Sequence, residues 1–405
     1  MGELPVSSET LNAKRVLCVY ENHPVSTSST LAVPRLLAQL TESLAAKNPS
    51  TEFVTICPGG GDVKGAKSIA ANLSLPSRAI CRVTNSRIFQ SVRTGSGPES
   101  TIQYQRMRSA LKPLANGVDQ QTIVICATIS SAILARKILR NPRIVYWVQG
   151  MPRVGQEAIA SRAVAASDAI VAPSQAIYND LFQLICRDRF AAPVWVVPNS
   201  IDSSQFQSTS VESKAATRNR LELSPDARAI MHIGRAPEKG LLVAKTALAI
   251  AKFDRPVVLI SAGGKEKTRT RLSDHVEVLE VGRVSPDQLC EIYQVCDLGL
   301  VPSVWWENCP LALIEMLSLG LCTIGSRVGG IPEMIHHEQT GLLIDAPNDV
   351  AAWAVAIEGL LRDDEYRQSL GSAAKQSVTG RFDRDRIMND WTALLNVVSN
   401  DKLAD

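Results

Sequence analysis

Ser303-Val-Trp-Trp-Glu307-Asn-Cys-Pro310-Leu-Ala-Leu-Ile-Glu315 sets two glutamates eight positions apart, one before a helix and one inside it. Pro310 suits the first helical turn, where its missing N–H costs nothing. Gly320 suits the stop, because glycine turns left-handed after a last turn at little cost. The apolar run Leu311 to Leu319 fills the helix between them, and Glu315 interrupts it. A helix start exposes unpaired N–H groups and a partial positive charge, so it can hold an anion. Two carboxylates beside an anion site point to a ligand that carries both phosphates and hydroxyl groups.

Outward from this stretch, short apolar runs alternate with helical-looking segments. In the first half the runs are Arg15–Tyr20, Glu52–Cys57, Ala79–Val83, Thr122–Ala127, Arg143–Val148, Ala169–Ala172 and Val194–Val197. In the second half they are Ala229–Ile233, Val257–Ser261, Val276–Val281, Leu298–Val301, Leu321–Ile324 and Leu342–Ile344. Continuous rather than alternating hydrophobicity suits strands buried on both faces of a parallel sheet. The fold class is therefore α/β, with two Rossmann-like, doubly wound parallel-sheet domains facing a cleft. The expected division is 1–205 for an acceptor-side domain and 206–382 for a donor domain. Residues 383–405 form a C-terminal helix that can pack back on the N-terminal domain, with Ile387, Trp391, Leu394 and Leu395 on one face. Open α/β sheets bind ligands beyond the carboxyl ends of their strands, so the site belongs there.

The totals narrow the class. A chain of 405 residues exceeds one core. A net charge of +3 argues against a dedicated nucleic-acid binder, which shows a concentrated basic face. The nine cysteines form no C-x-x-C pair and read as small buried residues of a reducing compartment. The first thirteen residues lack a signal-peptide core, and no apolar run reaches the roughly 18 residues of a membrane span. The expected location is the cytoplasm.

Gly234-Arg235-Ala-Pro-Glu-Lys239-Gly240 follows a strand and carries two cations four residues apart. Arginine offers a planar fork for phosphate oxygens and lysine a point charge, so the stretch reads as a diphosphate clamp or as a charged surface turn. Glu307 and Glu315 read as an acid–base pair, as hydroxyl-binding carboxylates or, for Glu315, as a solvent-facing residue. Gly329-Gly330-Ile331-Pro332-Glu333 is either an anion or sugar cradle or an ordinary turn. Trp305 and Trp306 read as lining a sugar face or, the commoner case for adjacent tryptophans, as including one that packs in the core. Trp147 and Gln149 end a strand at the cleft, with Gln149 a candidate substrate contact. Gly59-Gly60-Gly61 and Gly263-Gly264 do not complete a dinucleotide fingerprint. His336 and His337 are adjacent and diverge on a helix, and no metal-ligand cluster or covalent nucleophile motif is present.

Together, Ala169-Ile-Val-Ala-Pro-Ser174, Val196-Val-Pro-Asn199-Ser-Ile-Asp202, Gly234-Arg235 with Lys239-Gly240, Val301-Pro-Ser303, Glu307 to Glu315 and Gly329 to Glu333 resemble the retaining glycosyltransferases of family four. The resemblance implies the GT-B fold and transfer of a sugar from a nucleotide-diphosphate sugar to an acceptor hydroxyl with retained anomeric configuration. It implies catalytic roles for Glu307, Arg235 and Lys239. It also implies donor binding by Gly234, Arg235, Lys239, Glu307, Asn308, Cys309, Pro310, Leu311 and Glu315. Arg235 and Lys239 would hold the diphosphate, Glu307 the donor sugar and Glu315 the ribose hydroxyls. No metal and no resident cofactor are expected, since the donor is a co-substrate. Acceptor-side candidates are Gln149 and His23, and the acceptor is a glycan, a lipid-linked molecule or a small molecule. Nucleic acid is not an expected partner. A peripheral membrane contact would use the basic cluster Arg82, Arg87, Arg93, Arg106, Arg108 and Lys112. The first half departs from the pattern, with Tyr20-Glu21-Asn22-His23-Pro24 where the family often has paired glycines. The alternative is a non-catalytic scaffold of the same fold that binds a nucleotide sugar or a partner enzyme.

Overall fold

The structure is a computed structural model that describes residues 10–72, 98–150, 152, 156–184 and 192–400. The expected strand Ala79–Val83 and the basic residues Arg82, Arg87 and Arg93 lie outside the described residues. The chain divides into two compact units. One comprises Met1–Pro198 with Ile387–Asp405, and the other comprises Asn199–Arg386. The division falls at Pro198/Asn199 rather than at 205/206. The physical reason is local: the Ile201 N–H bonds to the Phe382 carbonyl and Ile201 bridges to Asp383, both in the second unit.

The first unit runs β1 (Arg15–Val19), α1 (Ala32–Lys47), β2 (Glu52–Cys57), β3 (Lys67–Ala70), α2 (Pro98–Leu111), β4 (Thr122–Cys126), α3 (Ile129–Ile138), β5 (Arg143–Trp147), α4 (Glu157–Ala165), β6 (Ala169–Ala172), α5 (Gln175–Leu184) and β7 (Val194–Val196). Its sheet order is β3-β2-β1-β4-β5-β6-β7, and every pairing in it is parallel. The winding reverses between β1 and β4. Central strands are buried end to end, as in the wholly buried β4 (TIVIC). The polar edge strand β3 is exposed and was not legible as an apolar run.

The second unit runs α6 (Val211–Arg220), β8 (Arg228–Ile233), α7 (Leu241–Ile250), β9 (Val257–Ala262), β10 (Lys267–Arg271), β11 (Val276–Gly282), α8 (Pro286–Tyr293), β12 (Leu298–Val301), α9 (Leu311–Ser318), β13 (Thr323–Ser326), β14 (Leu342–Ile344), α10 (Val350–Arg362) and α11 (Asp364–Val378). Its order is β10-β11-β9-β8-β12-β13-β14, so its winding reverses between β8 and β12. Only β10 pairs antiparallel, at an edge whose Lys-Thr-Arg-Thr-Arg side chains are all exposed. Charged residues on an edge strand keep its free backbone from pairing with another chain.

The last helix, α12 (Arg384–Ser399), belongs to the first unit from Ile387 onward. Ile387, Trp391, Leu394 and Leu395 are buried on it. Trp391 meets Trp147 of β5 edge to face, with ring centroids 5.2 Å apart.

Candidate functional site

A doubly wound sheet opens a crevice where its winding reverses, beyond the carboxyl ends of the two central strands. In the second unit the loop after β8 (234–240) and the loop after β12 (302–310) bring Lys239 and Glu307 into contact at that point. The Lys239 ammonium donates to both Glu307 carboxylate oxygens, at 2.6 and 2.9 Å. The Ser303 hydroxyl also donates to Glu307. Glu307 is buried, whereas the Lys239 side chain is 41% exposed, so the pair is half open. A small hollow of about 20 Å³ lies here among Lys239, Ser303, Glu307, Pro310 and neighbouring apolar residues. A larger hollow of about 520 Å³ lies beside the edge strand β10, lined by Lys267, Thr268, Arg269 and Glu280, away from the strands between which the winding reverses.

Backbone proximity fixes the pair. Gly240 is left-handed (φ +72°), and a Cβ there would stand 1.7 Å from the Pro302 carbonyl oxygen. The loop after β8 can therefore lie directly on the loop after β12 only through a glycine. The Val304 N–H completes the seam by bonding to the Glu238 carbonyl at 2.9 Å. At Gly234 a Cβ would sit 2.5 Å from Lys239 Cγ, in the path of the lysine stem. Gly329 presses on Glu307 from the other side: it is left-handed (φ +51°), and its Cβ would lie 2.2 Å from the Glu307 carbonyl oxygen. The Gly330 N–H donates to that same oxygen at 2.7 Å. Gly329 to Glu333 forms a turn that leads into a short 3-10 helix, Ile331–Glu333. It seats the glutamate, and the Gly330 donor is spent on protein.

Arg235 is exposed and forms no ion pair among the described residues. Asn308 is half-buried, Leu311 is buried, and the Cys309 carbonyl accepts from Asn199 Nδ2 at 2.9 Å. Burial pushes the Cys309 thiol up to about 12, which keeps it protonated and unreactive. Pro310 stands one position before α9 with extended backbone (ψ 115°). Past the helix, Gly320 (φ +78°) donates to Leu317 and Leu321 donates to Met316, closing a Schellman stop.

Glu315 is buried on α9, which excludes the solvent-facing reading. Its Oε2 accepts from the Tyr293 hydroxyl at the end of α8, 2.6 Å away. A carboxylate among Leu and Ile needs such a donor. Each glutamate thus has its own partners: Lys239 and Ser303 for Glu307, and Tyr293 for Glu315.

The expectation about the paired tryptophans is corrected. Neither Trp305 nor Trp306 enters the core, for they are 40% and 41% exposed. The loop is pinned through Ser303, Val304 and Glu307, which leaves both indoles outside. Trp147, at the end of β5, is buried against Trp391. Gln149, beyond β5, is half-buried, and His23, beyond β1, is exposed. Sequence reasoning also passed over Glu21, at the point where the first sheet reverses. Burial raises its carboxyl above the usual range, and the Thr128 hydroxyl donates to it. It likewise missed Tyr293 and the work of His232, whose ring meets the loop seven residues on and a hydroxyl of the neighbouring strand. Among the described residues no cluster of potential metal ligands occurs, and no helix is long and apolar enough to cross a membrane.

Residues 213–377 match the family model for glycosyl transferases group 1. N-acetyl-alpha-D-glucosaminyl L-malate synthase of Bacillus anthracis is 27% identical over 244 residues, covering 58% of this chain and 61% of that protein. Sulfoquinovosyl transferase SQD2 of Arabidopsis thaliana is 27% identical over 58% of this chain and 44% of that protein. The matches thus span about half of these relatives' own length. Among solved structures, sucrose-phosphate synthase from Thermosynechococcus elongatus superposes with a TM-score of 0.71 over 93% of this chain and 96% of that one, at 18% identity. Anabaena HepE in complex with UDP-glucose gives 0.67 over 94% and 98%, at 16% identity. The fold is GT-B, two parallel-sheet α/β domains.

Proposed function

We propose that this protein is a glycosyltransferase that moves a sugar from a nucleotide-diphosphate sugar to an acceptor hydroxyl, with retention of configuration and without a metal. The observation that carries the reading is the half-open Lys239–Glu307 pair at the point where the second sheet reverses, on a loop that also carries the exposed Arg235, which has no ion partner among the described residues. The match of residues 213–377 to glycosyl transferases group 1 supports it, as does the bound UDP-glucose in the HepE neighbour.

An ammonium has three N–H donors, so Lys239 can keep Glu307 and still offer one to a phosphate oxygen. Arg235 adds a fork, and together they stabilise the charge that grows on the diphosphate as it leaves. Glu307 accepts from a hydroxyl of the donor sugar, and Glu315 accepts from the ribose hydroxyls. The bond from the anomeric carbon to the diphosphate oxygen breaks, and a bond from that carbon to the acceptor oxygen forms on the same face. The leaving phosphate takes the acceptor proton, so no protein base is needed. Gln149 and His23, beyond strand ends of the first sheet, are proposed to contact the acceptor. The relatives' names span malate and sulfoquinovosyl chemistry, so the acceptor class is held at a hydroxyl-bearing molecule.

The test is a panel of nucleotide sugars screened by thermal shift, followed by turnover of those that stabilise the protein. A stabilising donor is expected, and Arg235→Ala and Lys239→Ala should each cut its turnover by roughly 100-fold, the scale of one lost transition-state donor. Arg235→Ala should leave thermal stability unchanged. Binding without hydrolysis or transfer would favour the non-catalytic scaffold, and binding of no nucleotide sugar would sink the proposal.

A further inference from the structure

The loop that carries the clamp lysine is held from inside the sheet by a histidine. His232, on β8, is fully buried, and its Nε2 lies 3.0 Å from the main-chain carbonyl oxygen of Lys239. Its Nδ1 lies 3.1 Å from the hydroxyl of Ser261, its register partner on β9. A carbonyl oxygen can only accept, so Nε2 carries the proton. A neutral imidazole has one N–H, so Nδ1 is bare and the Ser261 hydroxyl donates to it. The ring is therefore locked in one tautomer with both nitrogens used.

An apolar side chain would fill this interior position without the desolvation cost of an imidazole. What the imidazole adds is directional. It fixes the carbonyl of the residue whose ammonium reaches Glu307, on a loop otherwise pinned by Gly240 against Pro302 and by the Val304 N–H on Glu238.

We propose that His232 is a positioning residue for the donor clamp: through the Lys239 carbonyl it sets where the Lys239 ammonium stands relative to Glu307 and the donor diphosphate. The inference rests on the reading of Lys239 as a diphosphate ligand. His232 touches no substrate and acts only through the lysine's main chain.

The experiment compares His232→Phe, which fills the space without a donor, with His232→Gln, whose carboxamide can donate to the Lys239 carbonyl. The probes are UDP, GDP and ADP by titration calorimetry, together with amide hydrogen exchange across 234–240. For the nucleotide that the wild type binds, His232→Phe should weaken affinity about tenfold, the scale of one hydrogen bond. Exchange in 234–240 should rise about as much, while exchange elsewhere in the second unit stays unchanged. His232→Gln should restore both to within about threefold. Wild-type affinity and exchange in His232→Phe would overturn the inference. A uniform rise in exchange throughout the unit, not rescued by glutamine, would reduce His232 to a core residue and overturn it too. Lys239→Ala separates the two readings. If it leaves nucleotide affinity unchanged, or if the wild type binds no nucleotide, the clamp reading fails, and with it the role assigned to His232 toward the donor.

Discussion

Gly329→Ala is the sharpest test of how Glu307 is held. The added Cβ would stand 2.2 Å from the Glu307 carbonyl oxygen and 2.9 Å from its nitrogen. These are backbone atoms, so no side chain can swing aside, and about 1 Å of separation must come from moving the loop. Overpacking of this kind costs roughly 1–3 kcal/mol. Alanine in the left-handed region at φ +51° adds about 1–2 kcal/mol. The sum, about 2–5 kcal/mol, corresponds to a fall in unfolding temperature on the order of 5–15 °C for a unit of this size. A displacement of about 1 Å in the carboxylate also predicts a loss of turnover near 100-fold. The assay is a thermal melt with turnover of the donor measured in parallel. Gly359→Ala is the control. Nothing lies within 4 Å of a Cβ at this α10 position, so alanine should stabilise by roughly 0.5–1 kcal/mol. A melt of Gly329→Ala within about 1 °C of wild type would refute the reasoning, because the Gly329–Glu307 contact would then not constrain the loop.

Two further outcomes follow from buried groups. Tyr293→Phe removes the hydroxyl that donates to Glu315 and leaves the buried carboxylate short of that donor. A loss of about 1.5–3 kcal/mol is expected in urea unfolding, and an unchanged midpoint would show that the phenol contributes nothing to holding the carboxylate. Burial depresses His232 from 6.5 to about 4, with the Lys239 carbonyl favouring the charged form, Lys239 and Lys245 opposing it and Glu280 favouring it. Between pH 6.5 and about 4 the unfolded chain therefore binds a proton that the folded one does not. Stability should fall as pH drops through that window, by roughly 3 kcal/mol in all, and level off below it. Urea midpoints of His232→Phe across this range should be flatter than wild type by about one proton, and parallel curves would contradict the assignment.

The central strands were legible because a parallel strand covered on both faces must be apolar throughout, as β4 and β9 are. The edge strands β3 and β10 were not, since exposed Lys, Ser, Thr and Arg carry no burial signature and their strand character comes from pairing alone. The glycines and charges of the clamp were visible as types, but their partners were not. Nothing in the spacing tells that Tyr293 reaches Glu315, that His232 takes the Lys239 carbonyl, or that Trp147 meets a tryptophan on the last helix. The Tyr293–Glu315 and Trp147–Trp391 pairings join separate elements that only the tertiary fold brings together, and the His232–Lys239 pairing depends on how the loop after β8 folds back over its own strand. The position of Trp305 and Trp306 was misjudged for the same reason. Hydrophobicity favours the core, and the seam between the two loops turns both outward.

The second unit also contains a second charged network, and the contrast between the two supports the proposed assignment of the Lys239–Glu307 pair to a ligand. Arg228, at the amino end of β8, donates to Asp297 just ahead of β12 and to Asp364 at the start of α11. Arg367 joins Asp364 from one turn later. The arginine side chains there are 16% and 6% exposed, and each lies between groups of opposite charge. That arrangement ties helix to sheet at the amino rim, where open α/β sheets do not bind ligands. At the carboxyl rim the same strands, β8 and β12, lead into loops that leave Lys239 with 41% of its side chain open, next to an Arg235 with no ion partner among the described residues. A purely structural pair would gain by closing over its lysine or by giving way to apolar residues. An ammonium held in place by Gly240, His232 and Glu307, yet left open to solvent, supports the proposal that Lys239 receives an anion from outside.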